Sequence, residues 1–260
     1  MKYLYGNKEI TTLDQWKKAF CSSYSGNDDD YHWQEGRSGE SLAFDFLGEN
    51  ADGEETLFNL LSGFLKTKDV VLKEAYIEHG SEFDKYFRRR IQDLAITGTA
   101  DGKSIFIGIE AKVDETFGST TVSSQRRKVN RDKAEGKNTD ADKRLDKLVA
   151  DFLEDDEIKY GDIRYQLLYY LAGSFREEAE IIVMPVIVYK TRGQFFNKYD
   201  DVKGNKNQRD YKRFMESLGF SPVPEMIKDE IKMAYHKVVK APDLHGQIVS
   251  KDVFSCYIIK

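Results

Sequence analysis

Hydrolysis of a phosphate ester needs a few charged side chains held close together, and Asp93, Glu110 and Lys112 are of the right types. Carboxylates suit Mg²⁺, which commonly takes one or two of them and keeps several waters. A lysine beside such a cation can orient the attacking water and stabilise charge on the phosphate. These residues therefore predict a site for Mg²⁺, with Mn²⁺ as a substitute.

Two neighbouring strand patterns position these side chains. The patterns cover residues 89–98 and 104–113, and the intervening Thr-Ala-Asp-Gly signals a hairpin turn. Residues two apart on a strand point to the same face, so Glu110 and Lys112 project together. Pairing about the turn brings Asp93 near the level of Glu110, within reach of one shared ion.

A simpler interpretation is that the three charges form a salt-bridged row on an exposed strand face. The rest of both strands argues for a site instead, because apolar residues surround the charges and leave them clustered at one end. These apolar neighbours are Leu94, Ile96, Ile105, Phe106, Ile107 and Ile109.

The surrounding elements predict an α/β fold. Helical periodicity marks residues 38–47, 54–65 and 163–175, a further strand pattern covers 70–79, and a continuous apolar run at 181–189 indicates a buried strand. The order helix, three strands, helix and strand predicts a mixed central sheet flanked by helices.

We expect one elaborated domain over residues 1–260. Its core covers about residues 38–190, a charged helical insertion covers about 119–157, and residues 191–260 form a C-terminal α+β extension. The extension could supply specificity or a homodimer surface, and the sequence does not choose between these roles. The elements predicted outside the core are a short element at 13–20, helices at 208–218 and 224–239, and a strand at 247–259.

The pattern Asp93…Glu110-Ala-Lys112 on the second and third strands, with this order of elements, resembles the PD-(D/E)XK superfamily of restriction-endonuclease-like nucleases. The resemblance implies a restriction-endonuclease-like αβββαβ core and a metal-dependent nuclease acting on DNA. It also implies that Asp93 and Glu110 are metal ligands and that Lys112 is the catalytic lysine. Gln92 stands where the superfamily name has a proline, but that proline is often missing.

Two further positions extend the resemblance. Glu40 lies where many members place a glutamate that points at the metal, although a first-turn acid also stabilises a helix N-terminus. The segment from Gln166 to Tyr170 looks like the QxxxY motif of RecB-like exonucleases, which implies contact with the metal site or the nucleic acid. Gln166 and Tyr170 share one helix face, as they also would on an amphipathic helix packed against the sheet.

Basic residues suggest where a nucleic acid would bind. Arg88 and Arg90 precede Asp93 and suit bidentate contacts with phosphate. Residues 126–147 carry nine basic and five acidic side chains and begin with Arg126, Arg127 and Lys128. This segment could follow a phosphate backbone, although interspersed acids are also typical of a solvated helix face. The net charge of −5 argues against non-specific coating of DNA.

Composition excludes several other classes of protein. Cys21 and Cys256 lie far apart and outside any CxxC pattern, and the four histidines lack metal-ligand spacing, so neither a zinc site nor a disulfide framework is indicated. The GxSxG, Walker and dinucleotide-binding patterns do not occur. The two isolated cysteines fit a reduced cytoplasm, which is the compartment that we expect. The apolar run at 181–189 is too short to cross a bilayer, and the N-terminal residues lack the apolar core of a signal peptide, so we expect no membrane partner.

The competing hypothesis is a nuclease-fold protein that binds nucleic acid or a protein partner and cleaves nothing. Retention of Asp93, Glu110 and Lys112 favours catalysis, whereas the low net positive charge favours this alternative.

Overall fold

A mixed β-sheet organises the chain. The structure is a computed structural model that describes residues 1–25, 33–84, 89–153, 157–190 and 199–260. The strands of its sheet are β1 Lys2–Tyr5, β2 Lys8–Glu9, β3 Val70–Glu82, β4 Arg89–Ala100, β5 Lys103–Lys112, β6 Ile181–Val188, β7 Ser221–Pro222, β8 Ile231–Pro242 and β9 Ile248–Ile259. The order across the sheet is β2-β1-β3-β4-β5-β6-β9-β8-β7.

Helices cover both faces of this sheet. They are α1 Leu13–Ser25, α2 Ser38–Leu47, α3 Gly53–Leu65, α4 Val122–Ala134, α5 Ala141–Phe152, α6 Glu157–Tyr160, α7 Tyr165–Arg176 and α8 Asp201–Ser217, with a 3₁₀ turn at Pro224–Met226. One apolar core contains residues of α1, α2 and α3, and a second contains residues of α4, α5, α7 and α8. In the described part of the chain, no helix is both long and apolar enough to cross a membrane.

The strand directions give the sheet its mixed character. β5, β6 and β9 run parallel to one another, and β1 runs parallel to β3. The other neighbours pair antiparallel. Every residue of β6 is buried, as expected from its continuous apolar sequence. The predicted α/β class and mixed sheet are therefore confirmed.

A two-residue turn joins β4 to β5. Ala100 pairs with Lys103, and the intervening Asp101 and Gly102 both have positive φ angles, +48° and +77°. Positive φ at both central residues is typical of the type I′ turn, which matches the natural twist of a hairpin. The Asp-Gly signal therefore fixes the register between the two strands that carry the predicted site.

The C-terminal region differs from the prediction. The helix predicted for residues 224–239 is wrong, since only Pro224–Met226 is helical and Ile231–Pro242 forms β8. Its charged and apolar residues allow a helical pattern, but β8 pairs with β9 along its length and this pairing overrides the local preference. The strand predicted at 247–259 is confirmed as β9, which pairs with β6 and so extends the central sheet.

Candidate active site

Asp93 lies at the point where β4 and β5 stop pairing as a regular ladder. Their register runs from the hairpin turn to the pair formed by Leu94 and Ile109. One residue further along β4, Oδ2 of Asp93 accepts the backbone N–H of Ala111 at 2.6 Å. A side-chain oxygen thus replaces a backbone carbonyl, which holds the carboxylate of Asp93 between the diverging strands.

Glu110 joins three of the surrounding polar side chains. Its carboxylate is buried, and Oε1 forms an ion pair with Nζ of Lys112 at 2.8 Å and accepts a hydrogen bond from Nε2 of Gln166 at 2.7 Å. The other oxygen, Oε2, pairs with the guanidinium of Arg90. The structure therefore brings together four predicted site residues that come from β4, β5 and α7.

A third carboxylate, that of Glu78, was missed by the sequence analysis. The pairing register of β3 and β4 sets Glu78 opposite Asp93. Glu78 has a φ of +52°, which is uncommon for a residue other than glycine, and residues with such strained backbones cluster at functional sites. Its side chain is buried and accepts a hydrogen bond from Oγ of Ser23 at 3.2 Å.

The ionisation of these groups is perturbed by their surroundings. Burial raises the pKa of Asp93. Burial and repulsion by Asp93 raise the pKa of Glu78 well above its usual value. Burial lowers the pKa of Lys112, against the opposing effect of Asp93 and Glu115. Perturbed pKa values of this kind are characteristic of functional sites.

The donor set is compatible with a hard divalent cation. Among the described residues, no group of three or more histidine, cysteine, aspartate or glutamate side chains is close enough to hold a metal ion. Asp93 and Glu110 provide two carboxylates, which is a common protein contribution to a Mg²⁺ site completed by water. A cation beside Asp93 would also offset the repulsion that raises the pKa of Glu78. Asp93 and Glu110 therefore fit Mg²⁺ in number and type.

Two other predicted site residues, Tyr170 and Glu40, form hydrogen bonds with the backbone. Tyr170 is 1% exposed, and its hydroxyl donates to the backbone carbonyls of Gly108 and, at 3.1 Å, Pro185. Its ring lies 5.6 Å from Cζ of Arg90, so it supports Arg90 from within the core. Glu40 accepts the backbone N–H of Gly36 at 2.6 Å and lines a separate depression beside α2.

The predicted nucleic-acid contacts have different surroundings. Arg88 lies outside the described residues. Arg126 pairs with Asp146 at 2.6 Å, which connects α4 to α5. Arg127 and Lys128 are exposed on α4, and Lys128 lines a cleft that reaches the candidate site.

This cleft has a volume of about 570 Å³ and lies between β4, α7 and the helices of the insertion. Arg90 and Gln166 line it, and both also contact Glu110. None of the described residues that line the cleft is acidic. The candidate site therefore opens onto a basic surface, even though the whole chain is acidic.

We expect replacement of Glu78 with glutamine to raise the free energy of unfolding at pH 7 by about 1 kcal/mol in metal-free buffer. Because the pKa of Glu78 is raised in the folded state, the folded protein binds this proton more tightly than the unfolded chain does. The stability due to protonated Glu78 is complete below about pH 4 and is lost as the pH rises through the folded-state pKa. Glutamine cannot ionise, so the gain should increase with pH.

Urea unfolding in EDTA at several pH values would measure this gain. The control is Glu82→Gln on the same strand, where the side chain is exposed and pairs with Arg89 at 3.0 Å. Glu82→Gln should change the free energy of unfolding by no more than about 0.5 kcal/mol. A gain at Glu78 that is equal at all pH values would contradict the explanation based on a buried charge.

Comparison with known proteins identifies a family but no activity. No curated protein and no solved structure gives a significant match to the chain. A family model described as a domain of unknown function, DUF6946, matches residues 9–249. Because this match covers most of the chain, the protein belongs to the DUF6946 family.

Proposed function

We propose that the protein is a Mg²⁺-dependent nuclease of the PD-(D/E)XK type, with DNA as its expected substrate. The observation that carries the proposal is the arrangement at the strand fork, the point beyond Leu94 and Ile109 where β4 and β5 stop pairing. The carboxylate of Asp93 lies between β4 and β5, and on β5 the carboxylate of Glu110 contacts Nζ of Lys112 at 2.8 Å. In this proposal Asp93 and Glu110 hold the metal and Lys112 is the catalytic lysine.

The architecture around the fork supports the finer proposal of a restriction-endonuclease-like core. Helices α2 and α3 precede the antiparallel strands β3, β4 and β5, and α7 leads into β6, which runs parallel to β5. This is the helix, three strands, helix and strand order of the superfamily. Topology bears on the fold, and the activity depends on the residues of the site.

The chain's own residues have separable roles in the proposed reaction. When bound, Mg²⁺ supplies Lewis-acid polarisation of the phosphate. Because burial lowers its pKa, Lys112 can hold or release a proton at Nζ and so orient or help deprotonate the attacking water. Gln166 fixes the orientation of Glu110, and Arg90 contributes positive charge where the cleft meets the site.

A second candidate function is binding without cleavage. The observation that favours it is the pairing of Arg90 with Glu110, since a guanidinium already neutralises one of the two proposed metal ligands. A nuclease-fold protein that has lost its metal could keep such a pair and still bind nucleic acid or a protein partner.

The deciding experiment compares wild type with Asp93→Asn. Asparagine keeps an oxygen that can accept the N–H of Ala111, so the fold should persist while the charge is lost. Supercoiled, linear and single-stranded DNA, with RNA in parallel, would be incubated with Mg²⁺, Mn²⁺ or EDTA. We expect metal-dependent cutting that falls at least about 100-fold in the variant, together with weaker metal binding by calorimetry.

The matched control is Asp101→Asn, in the turn at the opposite end of the same hairpin, where asparagine tolerates the positive φ angle. It should cut like wild type. Absence of cutting on every substrate, with no metal binding by wild type, would favour the function without cleavage.

A further inference from the structure

The cleft adjoins the proposed reaction centre, although Asp93, Glu110 and Lys112 are not among the residues that line it. Arg90 and Gln166 line the cleft, and the same two side chains contact the carboxylate of Glu110. A group bound in the cleft would therefore lie next to the bond that is cut. What the cleft can hold thus bears on which substrate the site accepts.

The charge of the cleft suits a phosphate backbone. Four cationic side chains line it, Arg89, Arg90, Lys128 and Arg144. None of its described lining residues is acidic, although the chain as a whole has a net charge of −5. Arg89, Arg90 and Arg144 each form an ion pair with a carboxylate outside this lining, those of Glu82, Glu110 and Asp84, so a polyanion in the cleft would share these cations with them.

Aromatic rings lie among these cations. Tyr165 and Tyr169 project from α7 with ring centroids 5.3 Å apart, and Phe83 stacks on Tyr169 with an interplanar angle of 19°. Both tyrosines are only half-buried, and Cζ of Arg90 lies 5.4 Å from the centroid of Tyr169. Phosphate binding alone needs no aromatic rings, whereas stacking of nucleic-acid bases uses them together with arginine.

The size and shape of the cleft favour unpaired bases. A volume of about 570 Å³ is that of a small-molecule pocket and accommodates a nucleotide or two. In an intact duplex the faces of the bases stack on one another, so they reach an aromatic side chain only after unstacking. A single strand presents its bases without this cost.

We propose that this cleft binds an unpaired nucleotide adjacent to the cleaved bond, so that the substrate is a single strand or a single-stranded end of nucleic acid. The inference rests on the proposed function and specifies its substrate. Tyr165 and Tyr169 provide the stacking surface, and Arg89 and Lys128 hold the phosphates.

Binding can be measured separately from cleavage in EDTA. Fluorescence anisotropy would compare labelled oligothymidine, oligouridine and a blunt DNA duplex at one salt concentration. We expect a single strand to bind at least about tenfold more tightly than the duplex, and Tyr169→Ala to weaken single-strand binding by about tenfold. Tyr169→Phe should retain most of the affinity because it keeps the ring. The two oligonucleotides distinguish DNA from RNA.

Tyr5→Ala is the matched control, since Tyr5 is also half-buried but lies on β1, which is separated from β4 by β3. Tyr165→Ala removes the neighbouring ring and should also weaken single-strand binding. The test therefore does not depend on one variant being correctly folded. Equal or tighter binding of the blunt duplex, or unchanged single-strand binding in both alanine variants, would overturn the inference. If the inference is overturned in this way but duplex DNA is still cut, the nuclease proposal stands. If single strands bind selectively but no metal-dependent cutting occurs, only the nuclease proposal is rejected.

Discussion

Replacement of Lys112 with methionine is expected to lower phosphodiester cleavage by about two to three orders of magnitude. Methionine keeps the length of the side chain but removes the nitrogen that contacts Oε1 of Glu110 at 2.8 Å. The variant therefore lacks the group that orients the attacking water. Because Arg90 and Gln166 still contact the buried carboxylate of Glu110, removal of the lysine charge should leave the fold intact. Single-turnover cleavage at saturating Mg²⁺ would measure the loss.

The control for Lys112 lies on the same strand. Lys103 begins β5, is exposed, and lies at the hairpin end remote from the fork. Lys103→Met should cut at the wild-type rate. Near-normal cleavage by Lys112→Met, with metal dependence preserved, would remove Lys112 from the mechanism and leave the two carboxylates as the only supported part of the site.

Replacement of Arg176 with methionine is expected to reduce the free energy of unfolding by about 3 kcal/mol. Arg176 is 3% exposed at the end of α7 and pairs with Asp151 of α5, which is also largely buried. Its Nε donates to the carbonyl of Pro242 in β8 at 3.4 Å, and Cζ lies 5.7 Å from the ring of Phe152. One guanidinium thus joins the insertion, the core helix and the C-terminal hairpin, and its removal leaves the buried carboxylate of Asp151 paired with Lys147, at 3.0 Å, and without its buried partner.

An exposed ion pair provides the comparison. Arg213 contacts Asp162 at 2.7 Å, but both side chains are more than half exposed. Arg213→Met should change the free energy of unfolding by less than about 1 kcal/mol, because solvent screens the pair. Urea unfolding followed by circular dichroism would measure both variants. Similar effects at the two positions would show that burial does not determine the strength of the Arg176 contact.

Local sequence rules were sufficient to predict which residues lie at the centre of the candidate site. An Asp-Gly turn and strand alternation place Asp93, Glu110 and Lys112 together without knowledge of any distant residue. Glu78 could not be found in this way. Its position opposite Asp93 depends on the register between β3 and β4, and its positive φ angle interrupts the alternation from which a face would be assigned.

The tyrosines of α7 show a related difficulty. The QxxxY spacing places Gln166 and Tyr170 on one helix face, but it does not say which part of that face meets the sheet. In the structure Tyr170 is in the core, whereas the adjacent Tyr169 lines the cleft. The rotation of a helix against its sheet is set by packing of the whole core, and a short motif cannot report it.

The C-terminal hairpin failed as a prediction for the same reason. Residues 231–242 carry charged and apolar residues in an order that allows a helix, and β9 is what makes them a strand. Strand preference depends on neighbours across the sheet more than on the segment itself. The strand in 248–259 was predictable because its second half is almost continuously apolar.

The position of β9 in the sheet constrains when the protein can fold during synthesis. β9 is the last of the described strands, yet it lies between β6 and β8 and pairs with every residue of β6. A ribosome makes the candidate site long before it makes this strand, so a nascent chain exposes one hydrogen-bonding edge of β6. Unpaired edges of apolar strands promote aggregation. Nascent chains that lack β9 should therefore depend on chaperones until the β8–β9 hairpin docks.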